Sequence, residues 1–232
     1  MVTGLWFGRW WLELRRRHLA SAMPPCPLRD FFLEPFTPVS RDYRDVSYLA
    51  VDFETTGLDP KRDTILSIGY VAVNGTAIDL RASEHCLIRP DKPLPESSVV
   101  IHQISDDRAA RGVALADALP KLLAALAGRV MIAHFAKIER GFLDAACRQL
   151  YGFPFMVPTV DTLMLEHDHL ERHQIPYAQG DLRLARVRER YNLPRYNAHS
   201  ALTDALAGAE LFLALAADRA GDGELPLERL LS

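Results

Sequence analysis

The sequence predicts an α/β fold: a mixed five-stranded sheet flanked by helices. Three observations carry this. Residues 48–53 form a short apolar run, a Gly/Pro/Asp loop fills 55–63, and a second apolar run over 65–73 stops at Asn74-Gly75, a dipeptide that favours a tight hairpin turn. Residues 77–88 can return as a third strand, so the sheet opens with antiparallel links, unlike a purely parallel dinucleotide-binding sheet. Further on, the short apolar runs 129–134 and 156–160 alternate with helical patterns at 114–127, 138–150, 162–170, 182–191 and 201–217. The resulting order, β-β-β-α-β-α-β-α-α-α, places two buried strands beside the opening meander.

Composition agrees with one sizeable core. The chain has 232 residues, is 49% hydrophobic and 25% charged, and balances 27 Lys+Arg against 30 Asp+Glu for a net charge of -3. This excludes a wholly basic coat for nucleic acid but not an enzyme with a local basic track. Cys26, Cys86 and Cys147 stand far apart, which gives neither a disulfide framework nor a cysteine metal site and fits a cytoplasmic protein. Near the N-terminus, the apolar run 5–14 is broken by Arg9 and Glu13, and Arg15, Arg16 and Arg17 follow it. A secretory signal carries its positive charge ahead of the apolar run, and no stretch is long enough to span a bilayer. No membrane association is expected.

Residues 1–45 read as an arm: an amphipathic helix, then an extended segment punctuated by Pro24, Pro25, Pro27, Pro35 and Pro38. Its aromatics (Trp6, Phe7, Trp10, Trp11, Phe31, Phe32, Phe36) either pack on the parent domain or dock a protein partner. The main domain is placed at 46–220 and a tail at 221–232.

The chemistry gathers around carboxylates. Asp52 and Glu54 lie two apart on an otherwise apolar strand, so both project from one face. Two like charges side by side need solvent or a cation. The next residues, Thr55, Thr56, Gly57, Leu58, Asp59 and Pro60, form a tight turn whose N-H groups and hydroxyls can hold a phosphate or sugar edge. His199 and Asp204 open an Ala/Leu-rich helix much later. Five residues apart is about 140° around a helix, so His199 belongs in the preceding loop, with Asp204 one turn inside. Gly208, a turn later, is expected to let this helix approach the sheet.

Asp52-Phe53-Glu54-Thr55-Thr56-Gly57, with His199 and Asp204, resembles the DEDDh 3′-to-5′ exonucleases, the group of the proofreading subunit of bacterial replicative DNA polymerase. Ile101-His102-Gln103-Ile104 is similar to the family's I-H-G-I, and Val160-Asp161-Thr162 to its V-D-T. The resemblance runs from about residue 48 to 217 and implies a ribonuclease H-like fold. One motif departs: where the family usually has A-H-N-x-x-F-D, this chain has Ala133-His134-Phe135-Ala136-Lys137-Ile138-Glu139. Glu139 then stands for the second Asp and Phe135 for the Asn.

What the resemblance implies is a two-metal phosphodiester hydrolase that releases nucleoside 5′-monophosphates from a 3′ end. Asp52, Glu54, Glu139 and Asp204 are the expected ligands of two Mg²⁺ ions, with Mn²⁺ able to substitute, and His199 the expected proton acceptor. Thr55, Thr56, Gly57, Leu58 and His102 are expected to hold the terminal nucleotide, with Leu58 as a wedge against a base. The expected partner is nucleic acid with a free 3′ end. Several alternatives stay open: DNA or short RNA as substrate, a degenerate binding domain that does not cleave, and Glu139 as a solvated helix residue with Asp161 in its place. Arg183, Arg186, Arg188, Arg190 and Arg195 read either as a phosphate track or as a solvated helix face. Glu166, His167, Asp168, His169 and His173 read as a zinc cluster or, more simply, as a polar helix end.

Overall fold

The computed structural model describes residues 3–90, 110–196 and 200–232, with side chains from Trp11 onward. Expectations that fall on His102 and His199 lie outside the described residues.

Three strands form the opening meander: β1 (Ser47–Thr55), β2 (Ile65–Asn74) and β3 (Ala77–Leu87). Gly75 turns the β2–β3 hairpin with a φ of 60°, a value that glycine adopts without steric cost. After α3 (Leu115–Leu126) come β4 (Val130–Ala133), α4 (Lys137–Tyr151), β5 (Thr159–Asp161) and α5 (Thr162–Arg172). Helices α6 (Leu184–Arg190) and α7 (Ala201–Ala220) complete the domain. The sheet order is β3-β2-β1-β4-β5, with β1–β2 and β2–β3 antiparallel and β1–β4 and β4–β5 parallel.

Period-two alternation along β1 divides the core. Leu49, Val51 and Phe53 pack in one apolar cluster with α3 and α4, whereas Tyr48 and Ala50 pack in the other with Leu211, Phe212 and Leu215 of α7. Asp52 and Glu54 continue the second series, so the strand carries its two carboxylates on the α7 face. Pairing of β1 shifts register between Glu54 and Thr55, where the strand leaves the sheet.

The N-terminal region is more helical than expected. Helix α1 (Thr3–Ala22) runs for 20 residues, and α2 (Pro27–Leu33) starts with proline in its first turn, where no N-H is required. Leu19, Met23, Leu28, Phe31 and Phe32 are buried in the same cluster as Leu49 and Leu122. Of the two readings of the arm's aromatics, packing on the domain holds for Phe31 and Phe32. Arg16 is buried as well: it pairs with Glu13 at 2.6 Å and donates to the Phe32 carbonyl. The C-terminal residues pack too, through buried Leu225, Leu227 and Leu230 and a bond from Leu225 N-H to Asp42.

Candidate nuclease active site

Asp52, Glu54 and Asp204 each present a carboxylate oxygen, and these oxygens lie within 4.8 Å of one another. Asp204 comes from the first turn of α7, as its position after Ser200 anticipates. The backbone explains how that turn reaches the strand. Gly69 on β2 pairs across from Asp52, and a Cβ there would sit 2.1 Å from the Ala201 carbonyl carbon and the Leu202 nitrogen. The helix entry thus rests directly on bare strand backbone. Gly208 does not have the role expected of it, since a Cβ at that position meets nothing within 4 Å. The close approach occurs about two turns earlier, at Ala201 and Leu202, and is permitted from the strand side.

Glu139, on α4, lies near enough for its charge to act on Asp52. It is buried, at 3% exposure, which excludes the solvated reading. The Phe53 backbone, between Asp52 and Glu54, hydrogen-bonds to it, while its Oε2 is buried with no hydrogen-bond partner among the described residues. Burial first, and the nearby Asp161 charge after it, push the Glu139 carboxyl up to about 8. Asp52 is raised well above the usual carboxylate range by desolvation and then by Glu139, Asp204 and Glu54. Four carboxylates facing one another in a poorly solvated site repel strongly. A divalent cation removes that cost, and an all-oxygen donor set suits a hard ion such as Mg²⁺ or Mn²⁺.

Asp161, the other carboxylate considered for this place, is held by backbone N-H groups. Its Oδ1 accepts from Phe135 N-H and Leu163 N-H at 3.0 Å, with Met164 N-H at 3.4 Å, and its Oδ2 from Ala136 N-H at 2.9 Å. It caps α5 and ties down the loop that leads to Glu139. Beside it His134, with its ring pushed toward the neutral form by burial, joins Thr162 Oγ1 at 2.9 Å and the Leu182 carbonyl at 2.8 Å. These holding residues escaped the sequence reading, although the A-H and V-D-T matches marked their positions.

The turn after β1 is partly self-contained. Thr55 Oγ1 donates to the Gly57 carbonyl at 2.7 Å, and Thr56 Oγ1 to Asp63 at 3.2 Å, so neither hydroxyl proton is directed outward. Gly57 gives the Asp63 carboxylate room, since a Cβ there would fall 2.5 Å from it. Leu58 is 72% exposed at the tip.

Two further clusters were left open by the sequence. The arginines after Asp181 are largely committed internally: Arg188 is buried against Glu210 at 2.7 Å, Arg190 pairs with Glu166, and Arg186 and Arg195 each reach Glu189 at 3.0 Å. Arg188 and Arg190 brace α6 against α7 and α5, whereas Arg186 and Arg195 stay exposed at the surface. Around His169 and His173 no metal-ligating group forms among the described residues; Glu166 is taken by Arg190 and Tyr191, and His173 Nδ1 bonds to the His169 carbonyl.

The RNase T exonuclease family model matches residues 49–212. The chain belongs to this exonuclease family. Among curated relatives, the DNA polymerase III subunit epsilon of Treponema pallidum is 30% identical over 181 residues, covering 77% of this chain and 80% of that protein. The PolC-type DNA polymerase III of Thermotoga maritima is 28% identical over 200 residues, which is 84% of this chain but only 14% of that much longer polymerase. Among solved structures, the exonuclease fold is shared with cell-death related nuclease 4 (TM-score 0.66, 14% identity, 78% of this chain and 67% of that one). It is shared equally with the nuclease domain of 3′hExo, a DEDDh family member (0.63, 16%, 77% and 95%). The family match begins at Leu49, so helices α1 and α2 lie outside it.

Proposed function

We propose that this exonuclease-family chain is a divalent-metal-dependent 3′-to-5′ exonuclease acting on single-stranded or frayed DNA ends. The observation that carries this is the convergence of Asp52, Glu54 and Asp204 within 4.8 Å, with the buried, unsatisfied Glu139 oxygen beside them. Likeness to the epsilon subunit over most of both chains supports DNA as the substrate.

Asp52, Glu54, Asp204 and Glu139 would hold two Mg²⁺ or Mn²⁺ ions. When bound, such a pair stabilises charge on both the attacking and the leaving oxygen of an in-line displacement. His199 takes the proton of the attacking water, a task suited to a group that titrates near neutrality. The water oxygen joins phosphorus, the bond from phosphorus to the 3′-oxygen of the preceding nucleotide breaks, and that oxygen leaves as a hydroxyl. The product is a nucleoside 5′-monophosphate. The 55–58 turn, with Leu58 at its tip, and His102 position the terminal nucleotide.

The test is incubation with 5′-labelled and 3′-labelled DNA and RNA oligomers in Mn²⁺. The expected result is a descending ladder from the 5′ label, immediate mononucleotide from the 3′ label, preference for DNA, and loss of both with EDTA. Internal fragments as the main product, or full activity after chelation, overturn the assignment.

A further inference from the structure

A groove of about 770 Å³ runs between α1 and α4, and its lining residue Gly141 lies against Pro60 of the turn that follows β1, where a Cβ would meet the proline ring at 3.2 Å. One wall is the face of α4 that carries Lys137 and Arg140 at helical spacing, both exposed and neither in an ion pair among the described residues. The opposite wall is α1, which contributes Trp11, 52% exposed, with the Arg15 guanidinium 4.8 Å from its ring centroid. Of the two acidic side chains in the groove, Asp144 pairs with Arg148 at 2.8 Å and Asp161 is turned to backbone N-H groups. Arg15, Lys137 and Arg140 therefore face an apolar floor and form no ion pair among the described residues.

At the end nearest Glu139 stands Phe135, 41% exposed, with Met164 beside it at the same exposure. Phe135 has a φ of 69°. A bulky residue in the left-handed region is strained, and such strain persists where the surroundings impose it. Here Asp161 imposes it by accepting the N-H groups of Phe135 and Ala136. The result is an aromatic ring held out of the core and into the groove, four residues before Glu139.

Resting on the exonuclease reading above, we infer that this groove is the track for the single strand upstream of the scissile phosphate. Phe135 and Trp11 stack bases, and Arg15, Lys137 and Arg140 bind backbone phosphates. Unmatched cations interleaved with exposed aromatics are what a sequence-tolerant single-strand site requires, because every base has a stacking face and every nucleotide a charge. One wall lies outside the family-matched residues, so the track is a property of this chain's own N-terminal helix.

The experiment pairs binding with cleavage. Fluorescence anisotropy of the full chain with labelled dT12 in EDTA reads the track without catalysis. Hydrolysis of thymidine 5′-monophosphate p-nitrophenyl ester in Mn²⁺ reads the catalytic site without a strand. Lys137→Glu/Arg140→Glu should weaken dT12 binding at least tenfold and lower the salt slope by about 1.4, the value for two single-strand phosphates. Phe135→Asn, which relieves the backbone strain, should weaken binding about tenfold. Hydrolysis of the ester should stay at the parental rate in both variants. Parental dT12 affinity in both variants, or no dT12 binding by the parent, overturns the track, and a peptide-binding groove would then fit the α1 wall. Should the parent bind dT12 through these residues but hydrolyse neither substrate, the track stands and the exonuclease reading falls.

Discussion

Gly69 and Ala201 are in backbone contact: the carbonyl carbon of Ala201 occupies the space a side chain at Gly69 would need. Through that contact the entry of α7 is seated beside Asp52, and Asp204 is delivered to the cluster. Gly69→Ala should therefore displace the helix entry by about an ångström and lower turnover on the order of 10²-fold, as misplaced catalytic groups do. Gly208→Ala, with open space around it, should leave turnover unchanged and slightly stabilise α7. Steady-state rates and melting temperatures of the two variants check both outcomes.

Glu139 makes the metal-free protein sensitive to pH. Its folded pKa lies near 8 against an ordinary 4.5, so the folded state binds the proton more tightly. Stability from this group is complete below about pH 4.5 and is lost as pH rises toward 8. Asp52 is shifted in the same direction. In EDTA, the melting temperature should fall between pH 5 and 8. Glu139→Gln should flatten that slope and raise the melting temperature at pH 8. A melting temperature that rises over this interval in the parent, with the same slope in the variant, would refute the buried repelling cluster.

Glu139 and Asp161 should separate cleanly under mutation. Asp161→Ala leaves four backbone N-H groups without their acceptor and should cost about 3 kcal/mol of stability, since bonds to a charged group are worth roughly 1.5–3 kcal/mol each and water recovers part of the loss. Glu139→Gln should instead leave metal-free stability at or above the parental value and sharply reduce the extra stability that Mn²⁺ confers. Urea titrations with and without Mn²⁺ distinguish these patterns.

His199→Ala should lower turnover strongly near neutral pH while Mn²⁺ still raises the melting temperature. In the parent the rate should fall as acid protonates His199, and this limb should be missing from the variant. A pH-rate profile identical in both proteins would remove His199 from proton transfer.

Much of this architecture is legible in the sequence because its signals are local. Asp52 and Glu54 are unmistakable on an apolar strand of period two, and Asn74-Gly75 announces its hairpin. Gly69 is different: within the apolar run 65–73 it looks like a small gap, and only the tertiary arrival of α7 gives it meaning. The same holds for Arg188 and Arg190, whose partners Glu210 and Glu166 are distant in sequence, so that charge spacing alone offered only a phosphate track or a solvated face. The last strand also shifted, from 156–160 to Thr159–Asp161, because only Thr159, Val160 and Asp161 find partners on β4. Residue type announced the carboxylates, whereas the contacts that aim them are non-local.

The central claim is that four carboxylates from β1, α4 and α7 jointly hold the catalytic ions. Anomalous diffraction from a crystal soaked in Mn²⁺ with a nucleoside 5′-monophosphate tests it most directly. The account predicts two anomalous peaks about 4 Å apart, with Asp52, Glu54, Glu139 and Asp204 forming the shell. Peaks elsewhere in the molecule, or none at Asp52 at saturating Mn²⁺, would contradict it.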